Sequence, residues 1–269
     1  MKLGCNQLPS HSATHSLYLI NIDMNTLWTC GCSHTAKYVY YRMNFLVNDN
    51  PFKKYEQWKG GKLPPVWPAF LAKKLNLNLK NLGLGGNCNY SIFDQFINVC
   101  DQIKQDDLLI IQWTTFSRFR AANFDTSGFS EILVRADIPE GTCLEKSTVD
   151  EIFYNRSHPV WMTEVLNWMK LINMLIDKIG AQVFYWTADA DLTKIIYEKQ
   201  TLGYERFITY PHNTKTKYDT LMSHISNIEP RAFIFQETNC EIDDYHFGEH
   251  GHRALSDHIY DYLVGRRGV

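Results

Sequence analysis

The chain has 269 residues, 45% of them apolar and 21% charged, with a formal net charge of -2. That balance excludes a disordered or coiled-coil composition, and it argues against nucleic acid as a partner, because phosphate binding needs concentrated Lys and Arg. A chain of this length buries roughly 70–75% of its unfolded surface, so its core needs neither a metal nor a disulfide staple.

The seven cysteines are odd in number and follow no framework, which fits reduced thiols. Cys30 and Cys32 form only a C-x-C, without the second pair of a zinc site. His246, His250 and His252 lack a matching carboxylate or cysteine set, so no metal and no cofactor are expected. No segment approaches the ~18 apolar residues of a membrane span, and the N-terminus lacks a signal-peptide pattern. The expectation is a cytoplasmic or virion-associated protein.

In chain order, residues 1–23 show no useful pattern and read as an N-terminal extension, expected to be disordered, ahead of a single domain over 24–269. The first buried strand is Leu27–Thr29 and the second Lys80–Gly83. Ile92, Phe93, Phe96, Ile97, Cys100 and Ile103 then repeat at helical spacing, and Leu108–Gln112 is the third strand. Residues of about 119–160 carry Gly, Pro and charge without a sustained period, and read as an insertion such as a lid or rim. A long amphipathic helix from Trp161 to Ile179 is closed by Gly180. The fourth and fifth strands are Gln182–Trp186 and Ala232–Phe235, and a last helix runs from about Gly251 to Leu263. Strands alternating with helices imply a three-layer α/β/α domain, with a five-stranded, mainly parallel sheet.

Two constellations carry chemistry. In Gly31-Cys32-Ser33-His34-Thr35 a strand runs into a tight turn that exposes the Ser33 hydroxyl at the strand's carboxyl end. Far downstream, Asp243-Asp244-Tyr245-His246 offers the base that a serine needs and the acid that a base needs. Asp243 and His246 stand three apart, so one helical turn would put both on one side, with Asp244 facing away.

These blocks resemble the SGNH (GDSL) hydrolases, whose fold is flavodoxin-like. Gly31 to Tyr38 is similar to their block I, though Cys32 stands for its Asp and Lys37 for a Gly. Asn81-Leu82-Gly83-Leu84-Gly85-Gly86-Asn87 resembles block II, and Asp243 to His246 resembles block V. The resemblance implies Ser33 as nucleophile, His246 as base and Asp243 as acid. It also implies an oxyanion hole from the Ser33 N–H, the Gly86 N–H (with Gly85 close enough to compete) and a third donor. Block III departs from the family: aligning strand ends puts Thr114 where its Asn belongs, with Gln112 or Arg118 able to contribute. Trp113, Arg118 and Asn87 are the expected substrate contacts. The implied activity is hydrolysis of short-chain or carbohydrate O-acetyl esters through an acyl-enzyme. Acyl transfer by the same triad, and a non-catalytic glycan-binding or virion-associated module, are the alternatives.

Overall fold

Six-residue runs such as Leu108–Trp113, with every residue buried, can only sit in the middle of a sheet covered on both faces. The computed structural model describes residues 25–38, 50–115, 118–123, 128–133, 158–199, 204–209 and 220–265. Within them, four parallel strands form one sheet: β1 (Thr26–Cys30), β2 (Asn78–Asn81), β3 (Leu108–Trp113) and a strand over Gln182–Thr187. A separate antiparallel hairpin, β4 (Arg118–Asn123) and β5 (Gly128–Leu133), lies within the expected insertion. The strand over Gln182–Thr187 is therefore β6. The sheet order is β2-β1-β3-β6.

The strands sort their side chains by alternation. Trp28, Cys30, Leu109, Ile111, Val183 and Tyr185 face one layer, built by α3 (Asn89–Ile97), α4 (His158–Ile179) and α5 (Ala190–Lys199). Leu27, Leu108, Ile110, Phe184 and Trp186 face the other. That second layer holds α2 (Trp67–Leu75), α6 (Leu221–Ile228) and α8 (Glu249–Gly265), while the short α1 (Pro51–Trp58) and α7 (Ile234–Glu237) meet in a smaller cluster with Phe52, Tyr55 and Ile234. The result is the expected α/β/α sandwich. Local signals set the element ends: Asn50 caps α1 by accepting from the Phe52 N–H ahead of Pro51, and Gly180, at φ +81°, closes α4.

Three differences from the sequence reading stand out. Ala232–Phe235 is not a strand: Ile234–Glu237 is helical, and Phe233 makes a lone antiparallel bridge to Phe247. Ala232 and Ile234 are buried and Phe233 and Phe235 half-buried, but a run this short has no periodicity to separate strand from helix. Beyond β6 the sheet is instead extended by one parallel bridge, Tyr185 to Phe207. The second strand lies two residues earlier than expected, on the alternating, half-exposed edge Asn78–Asn81. Residues 1–24 and 134–157 are outside the described residues, so the proposed extension and most of the insertion are too.

The chain leaves β1 for β2 on one side and then crosses to β3 on the other. That reversal opens a crevice at the carboxyl ends of β1 and β3, where ligands bind in open α/β sheets. Replacing Ile110, fully buried in β3, with Ala should lower the unfolding free energy by about 2–5 kcal/mol. Ile97→Ala, at a 39% exposed position, should change it by no more than about 0.5 kcal/mol. Urea unfolding of both variants measures the difference, and similar losses would contradict the central place of β3.

Candidate active site

β1 ends at Cys30, and the chain turns at once. The Thr35 and Ala36 N–H groups both return to the Cys32 carbonyl, at 3.0 and 2.9 Å, so Cys32 to Ala36 form one tight turn with Ser33 half-exposed on it. The turn is held by three amide side chains from three different elements. Gln95 of α3 accepts from the Gly31 N–H at 2.9 Å and donates to the Gly31 carbonyl at 3.3 Å. Gln112 of β3 accepts from the Thr35 hydroxyl at 2.6 Å and donates to Cys32 Sγ at 3.1 Å. Asn81 of β2 donates to the Thr35 carbonyl at 2.8 Å while accepting from Thr29 Oγ1 and the Gly83 N–H.

Packing leaves no room for side chains at two glycines here. A Cβ on Gly31 would lie 2.6 Å from Thr35 Oγ1, and one on Gly83 would lie 2.7 Å from the Ala36 nitrogen. The loop after β2 is thereby pressed against the Ser33 turn, with the Leu84 N–H donating to the Gly31 carbonyl at 3.1 Å. Gly86 follows at φ +80°, a conformation that favours glycine. Asn89, at the start of α3, fixes the end of β3: its amide accepts from the Thr114 N–H at 2.7 Å and donates to the Thr114 carbonyl at 3.0 Å. The Ser33 and Gly86 N–H groups and the Thr114 hydroxyl make no hydrogen bond among the described residues.

The second half of the site is the loop between α7 and α8. Here the expectation needs correcting. The carboxylate that meets His246 is Asp244, not Asp243: Asp244 Oδ1 lies 2.7 Å from His246 Nδ1 and also accepts from the His246 N–H at 2.7 Å. Asp244 is 9% exposed, while Asp243 is exposed. The three-residue spacing aligns side chains only in a helix, and residues 241–248 are bends and irregular backbone. There an aspartate folds back onto the N–H two residues on. With Nδ1 facing a carboxylate, the assigned proton sits on Nδ1 and Nε2 is left as an acceptor; Nε2 has no hydrogen bond among the described residues.

The two halves meet through His34, whose ring centroid is 5.3 Å from that of His246 and 5.4 Å from that of Phe247. Ser33 Oγ itself lies 4.0 Å from Cys32 Sγ and is not hydrogen-bonded to His246. Of the expected substrate contacts, Trp113 is a second correction. It is fully buried, stacked between Trp168 and Tyr185, so it belongs to the core and presents no surface. A strand end predicts exposure, but the inward alternation of β3 turns its ring under α4. Asn87 is 4% exposed, in a turn back to Leu84, and the Arg118 side chain is outside the described residues. No metal-binding group of three or more His, Cys, Asp or Glu occurs among the described residues, and their cysteines are free. No helix among the described residues is long and apolar enough to cross a membrane.

Sequence reasoning passed over Asn81, Asn89, Gln95 and Gln112 as supports. Gln112 carried one signal: it is an amide that closes an apolar strand run, where a buried polar group must find partners.

No known family profile matches the chain, and no curated protein does. Solved structures do resemble it. A G-D-S-L family protein of Desulfitobacterium hafniense, described as lipolytic, is 10% identical at a TM-score of 0.41, over 88% of this chain and 99% of that one. A second, from Veillonella parvula, is 12% identical at a TM-score of 0.43, over 88% and 97%. The Bacillus subtilis protein YXIM is 14% identical at 0.46 over 91% of this chain, which spans 57% of that longer protein. The fold assignment rests on strand order and layers rather than on these likenesses.

Beneath the loop, His252 is closed to solvent, and its Nδ1 accepts from the Trp67 N–H at 3.2 Å. Burial, reinforced by the nearby His246, lowers its pKa to about 3. The unfolded chain therefore binds a proton below about 6.5 that the folded chain refuses, so stability falls as pH drops from about 6.5 toward 3. His252→Gln should remove this slope, shrinking the loss between pH 7 and pH 5 by roughly 2 kcal/mol. Urea midpoints at the two pH values measure it; an unchanged difference would show that His252 does not carry the effect.

Proposed function

We propose that the protein is a serine hydrolase of the SGNH type that cleaves short-chain or carbohydrate O-acetyl esters through an acyl-enzyme. The observation that carries this reading is the Asp244–His246 pair held beside the turn that bears Ser33, at the carboxyl ends of β1 and β3. In this reading Ser33 Oγ attacks the ester carbonyl carbon and its proton passes to His246 Nε2. Asp244 keeps the opposite ring nitrogen protonated and stabilises the imidazolium. The tetrahedral oxyanion is received by the Ser33 N–H, the Gly86 N–H and the Thr114 hydroxyl, each without a competing partner among the described residues. The leaving alkoxide takes the proton from Nε2. A water then repeats the sequence on the acyl-Ser33, releasing the carboxylic acid and restoring the hydroxyl.

Two features favour a second reading, a non-catalytic glycan-binding module. Thr114 stands where the resemblance implies Asn, and the Ser33 hydroxyl contacts Cys32 rather than His246. A missing oxyanion donor costs about 10²–10³ in rate in a well-studied protease, so the two readings differ by a measurable turnover.

A fluorophosphonate should label the intact protein and not Ser33→Ala, and p-nitrophenyl acetate should be hydrolysed only by the former. Asp244→Asn should lower kcat by about 10²–10⁴, as loss of the orienting acid does in triad enzymes, whereas Asp243→Asn should stay within about threefold of the parent. Absence of both labelling and hydrolysis would sink the enzyme reading. A larger loss at Asp243 than at Asp244 would sink the choice of acid.

A further inference from the structure

α1 meets the rest of the molecule along one face, where Phe52, Tyr55 and Lys59 follow at helical spacing. Each touches the loop that carries His246 or its immediate support. The Phe52 ring stands edge-on to the His246 ring, with centroids 5.1 Å apart. The Tyr55 hydroxyl donates to Glu237 Oε2 at 2.8 Å and accepts from the Glu249 N–H, at the start of α8, at 2.9 Å. Lys59 Nζ lies 2.7 Å from Glu237 Oε1 and 2.7 Å from Glu249 Oε2.

Between these anchors run Phe247 and Gly248. The Tyr38 hydroxyl donates to the Phe247 carbonyl at 2.8 Å. Any Cβ on Gly248 would overlap Glu237 Oε2 and come within 3.1 Å of the Tyr55 hydroxyl. The backbone two residues after His246 is therefore seated directly on the Glu237–Tyr55 contact.

The Glu237 side chain is 2% exposed. A carboxylate that far from water depends on close pairing, and loss of its cation leaves an uncompensated charge. Burial disfavours the Lys59 ammonium, but its bonds to Glu237 and Glu249 outweigh this and raise its pKa. Lys59, then Arg253, hold the Glu249 carboxyl below its usual value. An apolar contact alone would let α1 slide. Tyr55, donating on one side and accepting on the other, fixes its register against the loop.

We infer that Lys59, Glu237 and Tyr55 are positioning residues for His246, locking α1 onto Phe247–Glu249 so that Phe52 and His34 hold the imidazole while Asp244 holds Nδ1. The inference rests on the reading of His246 as general base. These residues touch neither substrate nor reacting atoms; they act through the loop.

Lys59→Met keeps the apolar stem and removes the charge. It should lower kcat for p-nitrophenyl acetate by about tenfold to a hundredfold, the scale of a misplaced catalytic group, with KM within about twofold. Lys59→Arg should recover most of the loss. In the full chain, amide hydrogen exchange at residues 246–249 should speed up by about tenfold, with β3 unchanged, because only a local opening is released. Lys74→Met, which breaks the exposed Lys74–Asp257 pair of 2.9 Å, should alter neither kcat nor exchange. Unchanged kcat and loop exchange in Lys59→Met would overturn the inference, and so would equal acceleration in β3, which signals general destabilisation. If the parent protein neither hydrolyses the ester nor reacts with a fluorophosphonate, the esterase reading fails by itself. Exchange confined to residues 246–249 would then still support the lock, and its absence would overturn it.

Discussion

The fit of residues 31–36 against three strand ends is the constraint on which the candidate site depends. Gly31 and Gly83 leave no space for a Cβ, so the turn and the loop after β2 approach at backbone distance. That closeness buries peptide groups which β-sheet pairing cannot reach. Gln95 and Asn81 supply partners to those peptide groups, and Gln112 to the Thr35 hydroxyl and Cys32 Sγ, each using both ends of its amide. An amide suits this task because it donates and accepts without carrying a charge into the core. Cys32, standing where the family resemblance implies Asp, continues the same logic: its sulfur accepts from Gln112, and the contact needs no ionised group.

The His246 loop obeys a different rule. Its backbone is stitched to the start of α7 and to Ala232 ahead of it by the Ile234 N–H to the His246 carbonyl, the Phe235 N–H to the Asp244 carbonyl and the Gly248 N–H to the Ala232 carbonyl, all at 2.8–3.0 Å. Its far side is held by ionic and phenolic contacts from α1. Neutral amides thus brace the Ser33 turn, and charges brace the His246 loop. Direct contacts between the halves include rings and a hydroxyl: His34 against His246 and Phe247, and Tyr38 on the Phe247 carbonyl. In the proposed reading, a seam of rings lets Ser33 and His246 approach when substrate arrives.

Much of the fold was legible because strands and helices impose periods on the sequence. The Leu108–Gln112 run, apolar through Ile111, and the i, i+3, i+4 stripe of α4 each admitted one reading, and both elements formed there. Ala232–Phe235 did not, since four apolar residues satisfy a strand and a short helix equally well. Trp113 shows a related limit. Position at a strand end suggested exposure, yet its face of β3 is covered by α4, and coverage is a property of neighbours distant in sequence.

The sequence by itself determined the order strand, Gly-x-Ser, glycine-rich loop and terminal Asp–His, because bonded spacing and local period are written in adjacent residues. It also placed Ser33, Gly86 and His246 at the ends of the elements that carry them. Only the tertiary structure decided between Asp243 and Asp244. That choice turned on backbone torsions in a non-helical loop, fixed from outside by segments near residues 55 and 235, and local spacing holds no record of them.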